Sequence, residues 1–459
     1  MDSRPRRQGN TPGVPALEVI GAGLAGCEAA WRGAANGLGV RLWEMKPGLF
    51  SPAHASPGLA ELVCSNSFRS DDPGTAVGLL KKELRLLGSL TMAAADAARV
   101  PAGQALAVDR EAFSGLVTAM IEENPLIELV REKAPLSLLD GRAQGNPLVV
   151  AAGPLASEDL AERLAGLTGA ENLHFYDALA PIVTGESLDL GRIFRADRYG
   201  QGPGGDYLNC PLDQGELETF MAALTAADRL RPRPFEEERY FEGCLPIEVM
   251  AARGPRTLCF GPMKPVGLVD PGTGRRPAAV VQLRREDLAG THWNMVGFQT
   301  RLTRAAQEEV FRLIPGLGRA RFARHGAIHR NTYLEAPRVL DPFQRLLARP
   351  AIFAAGQISG VEGYVESAAQ GLWAGENASR VARGLAPVLP PRASALGSLL
   401  WHLGQGNASR VFSPSNVNFG LFPPCPSVPR REQAARRLAA AEGSWEPFLG
   451  EIGYARLGR

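Results

Sequence analysis

Leu17-Glu18-Val19-Ile20-Gly21-Ala22-Gly23-Leu24-Ala25-Gly26, continued by Cys27 to Ala35 and by Val40-Arg41-Leu42-Trp43-Glu44, is the stretch that decides the fold. Leu17 to Ile20 reads as a short apolar strand, and the run rich in Ala and Glu after it favours helix, ending at Gly37 and Gly39. A second strand then closes on an acidic residue, Glu44. The glycines at 21, 23 and 26 therefore sit on a strand-to-helix turn, the context in which GxGxxG spacing binds a dinucleotide. Gly21 permits the tight turn, Gly23 lets the backbone approach a pyrophosphate, and Gly26 lets helix and strand pack closely. Ala22, Leu24 and Ala25 complete the helix N-terminus that faces the phosphates. Glu44 is placed to accept hydrogen bonds from the adenosine ribose, and Lys46 is counted with the same binding set.

The chain returns to this theme late. Ala351 to Ala355 reads as a strand running into Gly356 and Gln357, and a helix-like stretch follows from Glu362 to Arg380, with Gly363 at its start. FAD-binding Rossmann proteins commonly close their site with such a late strand, whose terminal glycine meets the flavin end. The expected cofactor is therefore FAD. The expected fold is α/β, a Rossmann-type FAD-binding domain with an inserted mixed α/β domain. The expected division is a disordered arm over 1–15, FAD-binding segments over 16–150 and 301–386, the insertion over 151–300, and a C-terminal extension over 387–459 packed on the FAD domain. Strand candidates inside the insertion include Arg256 to Phe260 and Ala278 to Leu283. Thr75 to Leu87 reads as a helix with Leu79, Leu80, Leu84 and Leu87 on one face and Lys81, Lys82 and Arg85 on the other. A basic helix is expected from Arg430 to Ala441.

Composition narrows the class. No apolar run approaches the ~18 residues that span a bilayer, so no membrane association is expected. Arg4, Arg6 and Arg7 have no apolar segment behind them, which argues against a secretory signal and for a cytoplasmic address. A net charge of +2 provides no global basic field, so a nucleic-acid partner would have to meet a local patch. Six cysteines form no CxxC pair and no metal-ligand spacing with the six histidines, so no metal is expected and the question is which thiols react. Cys27, Cys210, Cys259 and Cys425 lie in helix, strand or Pro-rich contexts that suit packing. Cys64 differs, because it lies in a long polar loop from Ser51 to Asp72 with Arg69, Lys81 and Lys82 near in sequence to favour a thiolate. Cys244 lies in Glu242-Gly243-Cys244-Leu245-Pro246.

Along nearly its whole length the sequence resembles the folate- and FAD-dependent tRNA (uracil-5-)-methyltransferases. The blocks that carry the resemblance include VIGAGLAGCEAAW, ELVCSNSFRSDD, PAGQALAVDR, FEGCLPIEVMAARG, TLCFGPMKPVGL, AVVQLR, HRNTYLEAP, AAGQISGVEGYVESAAQGLWAGENASR and SNVNFGLFPP. The resemblance implies formation of 5-methyluridine in the T loop of tRNA. The carbon comes from methylenetetrahydrofolate, reduced FAD mediates, and NADPH or NADH supplies electrons. It implies tRNA, through its T arm, and folate as partners, with no obligatory protein partner. Longer related flavoproteins modify the wobble uridine of tRNA, and that activity is one alternative; a non-enzymatic flavin-containing RNA-binding protein is another.

Carbon 5 of uracil is a poor nucleophile until a thiolate adds at carbon 6, after which a base must remove the C5 proton. The resemblance pairs two cysteines for these tasks. Cys64 is favoured as nucleophile and Cys244 as base, and the reverse assignment stays open at this point. The resemblance also places His329, Asn331 and Tyr333 near flavin and folate, and Arg69 with the substrate-binding set. Arg430, Arg431, Arg436 and Arg437, together with Lys81, Lys82 and Arg85, are the candidates for phosphate contacts, with a solvated charged face as the plainer reading of both groups.

Overall fold

The computed structural model describes residues 16–140, 146–170, 173–198, 205–230, 245–405, 412–425, 428–429 and 431–454. The expected arm over 1–15, Cys244 and Arg430 lie outside these described residues.

A six-stranded sheet is built around Leu17–Ile20. Its order is Arg345–Leu346, Arg349–Ala354, Leu148–Val150, Leu17–Ile20, Val40–Trp43, Ile127–Val130. All neighbours run parallel except the edge hairpin joining its first two strands. Val19 pairs with Leu42 on one side and Val149 on the other, and all three are fully buried, as expected for a parallel sheet covered on both faces. The late strand is thus brought two positions from the first.

Helix Leu24–Ala35 follows the glycine turn, and the long helix Tyr364–Ala382 packs directly along it. Small residues make that approach possible. A Cβ on Gly371 would lie 2.1 Å from the Ala25 carbonyl oxygen, and one on Gly375 2.6 Å from that of Ala29. Arg32 and Glu376 form a 2.8 Å ion pair across the same contact, both at most 2% exposed. Helix Gln433–Ile452 closes the far side, with Trp445 and Phe448 packed against Trp373. The basic helix expected from Arg430 to Ala441 therefore starts later and runs longer than its charge pattern suggests, because Trp445 and Leu449 extend the buried stripe.

A second six-stranded sheet, antiparallel throughout, runs Phe194–Arg195, Leu208–Leu212, Ala279–Arg285, His292–Met295, Ile182–Thr184, Phe322–Arg324. Its core is separate, with Phe298 in ring contact with both Phe220 and Phe311. The first core still contains Leu164, the second runs from Val183 to Ala320, and the first resumes at Tyr333. An antiparallel ladder, Leu173–Ala178 with Ile328–Tyr333, lies at both crossings.

Two sequence expectations need correction here. Arg256 to Phe260 is not a strand: Thr257–Phe260 is one helical turn in which Leu258 is buried and Phe260 is 81% exposed. Pro255 and Gly261-Pro262 bracket the run, leaving it too short to join a ladder. Lys81 is not on a solvated face either. Helix Ala76–Leu86 forms as expected, capped by the Thr75 hydroxyl accepting from Gly78 N at 3.1 Å. Lys81 is nevertheless 0% exposed, and its ammonium donates to the carbonyls of Phe68, Arg69 and Ser70.

Candidate active site

The carboxyl ends of the first sheet open onto a cleft. Gly21 to Ala25, Glu44, Lys46, Gly356 and Gln357 all line it, so the early and late motifs meet in one place. The glycines divide their work as their spacing implies. Gly21 has φ +93°, and a Cβ there would lie 2.6 Å from the Ala151 carbonyl oxygen. A Cβ on Gly26 would lie 1.7 Å from the Gly21 carbonyl oxygen, so strand turn and helix can touch only without one. Nothing lies within 4 Å of a Cβ built on Gly23, which leaves open space for a close ligand.

Glu44 is 7% exposed, and its carboxylate accepts from Ala22 N at 3.1 Å and Lys46 N at 3.0 Å. The Lys46 ammonium is tied back to the Gly58 carbonyl at 2.7 Å and to Glu61 at 3.3 Å. At the other end Gly356 has φ +79°, and its N–H donates to Gln370 Oε1 at 2.8 Å. Two glycines of the predicted set, Gly26 and Gly363, do not line the cleft. Gly26 serves the helix–turn contact, and Gly363 caps helix Tyr364–Ala382 at φ +109°, beside the Arg69–Glu366 pair.

Val63 and Tyr364 line the cleft, and Cys64, half-buried, lies beside them. The Tyr364 hydroxyl accepts from Cys64 N at 2.8 Å and Ser65 N at 3.1 Å. Arg324 donates to the carbonyls of Val63 at 3.0 Å and Cys64 at 3.4 Å. Arg284 donates to Ser65 Oγ at 2.7 Å and Asn66 Oδ1 at 2.9 Å. Arg110 donates to the Leu62 carbonyl and pairs with Glu286. Electrostatic coupling to Cys64 reaches all three arginines. Burial pulls Arg284 and Arg324 below the usual guanidinium range.

These are not the cations that sequence proximity suggested. Arg69 pairs with Glu366, Lys81 is spent on backbone carbonyls, and Lys82 pairs with Glu442. Arg85 is likewise paired, with Asp71 and Asp96. Arg110, Arg284 and Arg324 fall in or near matched sequence blocks, yet they lie 46, 220 and 260 positions from Cys64 and only the fold brings them together. Tyr364, 300 positions from Cys64, was missed for the same reason, whereas His54 shares the polar loop with Cys64 and has no local pattern that sets it apart. His54 lines the cleft with its Nδ1 2.5 Å from Ser51 Oγ, and burial, helped by the Lys46 charge, holds it below the ordinary histidine range.

His329, Asn331 and Tyr333 share one face of the strand Ile328–Tyr333. His329 Nε2 and Asn331 Nδ2 are buried and find no hydrogen-bond partner among the described residues. Burial, with Arg324 and His54 adding to it, lowers the His329 pKa and keeps the imidazole neutral. Tyr333 is 5% exposed and packs against Phe412 in the first core, so of the three it has the clearest structural job. Cys27 and Cys210 are buried, as their contexts implied, whereas Cys259 and Cys425 are half-buried. No cluster of metal-ligating side chains occurs among the described residues. None of the described helices is long and apolar enough to cross a membrane.

Fold and cleft together define a Rossmann-type FAD-binding protein with an inserted α/β region. The model of the family "Glucose inhibited division protein A" matches residues 16–386. The methylenetetrahydrofolate–tRNA-(uracil-5-)-methyltransferase TrmFO of Geobacter sulfurreducens is 57% identical over 92% of this chain and 96% of its own. The protein of the same name from Moorella thermoacetica is 53% identical over 92% and 95%. This chain belongs to that methyltransferase family. The solved structure of Aquifex aeolicus GidA superposes with a TM-score of 0.70 at 17% identity, covering 97% of this chain and 74% of that one, which shows the shared fold.

Proposed function

We propose that this protein forms 5-methyluridine in the T loop of tRNA, using methylenetetrahydrofolate as carbon donor, FAD as mediator and NADPH or NADH as reductant. The observation that carries the reading is the placement of Cys64 at the edge of the dinucleotide cleft, joined to it through Tyr364. Glu44 and Lys46 would hold the adenosine end of FAD, residues 21–25 its pyrophosphate, and Gly356 with Gln357 its flavin end. FAD supplies hydride and one-carbon chemistry when bound.

The chain's own residues supply the rest. Cys64 adds through sulfur to uracil C6, which makes C5 nucleophilic toward the one-carbon unit. Arg110, Arg284 and Arg324 hold the loop that carries the sulfur and set positive charge around it. Cys244 then takes the C5 proton, a role that rests on the family resemblance, and Cys64 is eliminated. The unpartnered nitrogens of His329 and Asn331 are the groups best suited to hydrogen-bond the folate ring. The target uridine must leave its stack to reach the cleft.

The test uses purified flavin-loaded protein, tRNA lacking T-loop modification, methylene-labelled folate and NADPH, with no other protein present. Label recovered as 5-methyluridine from the T loop is expected. Label at the wobble position, or no label in RNA, overturns the reading.

A further inference from the structure

Carboxylates crowd the start of helix Tyr364–Ala382. Glu362 is 7% exposed and Glu366 0%. Asp177, on the ladder strand Leu173–Ala178, acts electrostatically on Glu362. Arg69 pairs with Glu366 but is itself 38% exposed. Glu366 Oε2 is buried without a hydrogen-bond partner among the described residues. Gln357 connects this cluster to the cleft: it lines the cleft while its Nε2 donates to Glu362 Oε2 at 3.1 Å. Carboxylates packed together in a dry environment cannot all remain ionised, so one of them holds a proton. Burial above all, with Asp177 next, pushes Glu362 up to about 8, against the opposing pull of Gln357 and Arg69.

A hydride transferred to oxidised flavin carries two electrons and one proton, and it adds one negative charge to the ring system. We propose that in alkaline solution, where Glu362 is ionised, it takes up a solvent proton when the bound flavin is reduced, so that charge gained at the flavin end of the cleft is offset by charge lost on Glu362. The inference rests on the reading of the cleft as an FAD site. The balance is oxidised flavin, hydride, one proton and the Glu362 carboxylate going to reduced anionic flavin and the Glu362 carboxylic acid. The hydride comes from NADPH or NADH. Gln357 is the positioning residue, since its amide is the hydrogen-bonded link between Glu362 and the cleft. The groups facing Glu362 are Asp177, Glu366, Arg69 and Gln357. His329, opposite Asp177 in the ladder, is held neutral by burial and does not titrate in the alkaline range.

The experiment measures the midpoint potential of the flavin-loaded protein from roughly pH 7 to 10 by equilibration with a reference dye, without RNA or folate. Below about 8 Glu362 holds its proton in both redox states. One proton then accompanies two electrons, and the potential falls by about 30 mV per pH unit. At higher pH a second proton is taken up and the slope steepens to about 60 mV per unit. Glu362→Gln is expected to keep about 30 mV per unit throughout. A wild-type line that never steepens, or the same bend in Glu362→Gln, overturns the proposal. Should Glu362→Gln fail to hold flavin, Asp177→Asn serves instead: removing its charge moves the bend to lower pH, and an unmoved bend overturns the proposal. Protein that binds no flavin at all contradicts the reading of the cleft, which keeps the two failures distinct.

Discussion

The hydroxyl of Tyr364 accepts the amide protons of both Cys64 and Ser65, at 2.8 and 3.1 Å, while its ring meets Phe68 at 5.8 Å. Tyr364 is the first residue of the helix that packs along Leu24–Ala35, so the turn carrying Cys64 is registered to the dinucleotide motif through one side chain. Replacing Tyr364 by Phe leaves two amide protons without their acceptor, a cost of about 1–3 kcal/mol each where they are buried. Tyr364→Phe should therefore retain flavin yet lower kcat for uridine methylation at least about tenfold. Single-turnover methylation at matched flavin content checks this, and an unchanged rate counts against the tie.

Arg324 should act on the same turn from the second sheet. Its donors hold the carbonyls of Val63 and Cys64, and Arg324→Met removes both hydrogen bonds and a buried charge. The expected result is a fall in kcat larger than any rise in KM for tRNA, with partial recovery in Arg324→Lys. A change confined to KM would instead make Arg324 a tRNA contact.

The Lys81 and Lys82 pair offers a contrast between neighbours. Lys81 holds three backbone carbonyls inside the molecule, whereas Lys82 makes an exposed pair with Glu442. Lys81→Met should lose roughly 2–4 kcal/mol, because it strands buried acceptors. Lys82→Met should stay within about 0.5 kcal/mol of wild type. Denaturant or thermal unfolding of the two variants decides, and equal losses would refute the burial argument.

Glu83 carries a pH signature of its own. It is fully buried and accepts from the amides of Ala395 and Leu396 at 2.7 and 3.0 Å. Burial raises its pKa from 4.5 to about 7 despite those hydrogen bonds. A carboxyl raised in the folded state contributes stability that is present below its unfolded value and is lost as pH rises through the folded one. The Tm difference between wild type and Glu83→Gln should therefore shrink or reverse as pH rises from 4.5 to about 7. A constant difference across that window would show that Glu83 does not titrate there.

Local spacing made half of this molecule legible. Gly21, Gly23, Gly26 and Glu44 lie within one strand–helix–strand unit, so short-range geometry alone determines what they do. Gly356 and Gln357 could be assigned to the same cleft because FAD-binding Rossmann folds commonly close their site with a late strand, which here lies two positions from the first. The cations around Cys64 were not legible by that route. Lys81, seventeen positions on, turns inward to satisfy carbonyls, whereas Arg324, 260 positions on, reaches the Cys64 turn from another sheet. Periodicity misplaced Lys81 because an ammonium can occupy the apolar side of a helix when three carbonyls converge on it. Thr257–Phe260 failed as a strand for a different reason: four apolar-rich residues fit either period, and only the flanking prolines decide.

If the cleft beside Cys64 performs chemistry at carbon 5 of uridine, the hydrogen on that carbon must be lost to solvent. The most direct measurement is release of tritium from tRNA transcribed with uridine tritiated at that carbon, incubated with flavin-loaded protein, methylenetetrahydrofolate and NADPH. Folate-dependent release is expected from the wild type and is lost in Cys64→Ser. No release by flavin-loaded wild type, or undiminished release by Cys64→Ser, would contradict that role of the cleft and Cys64.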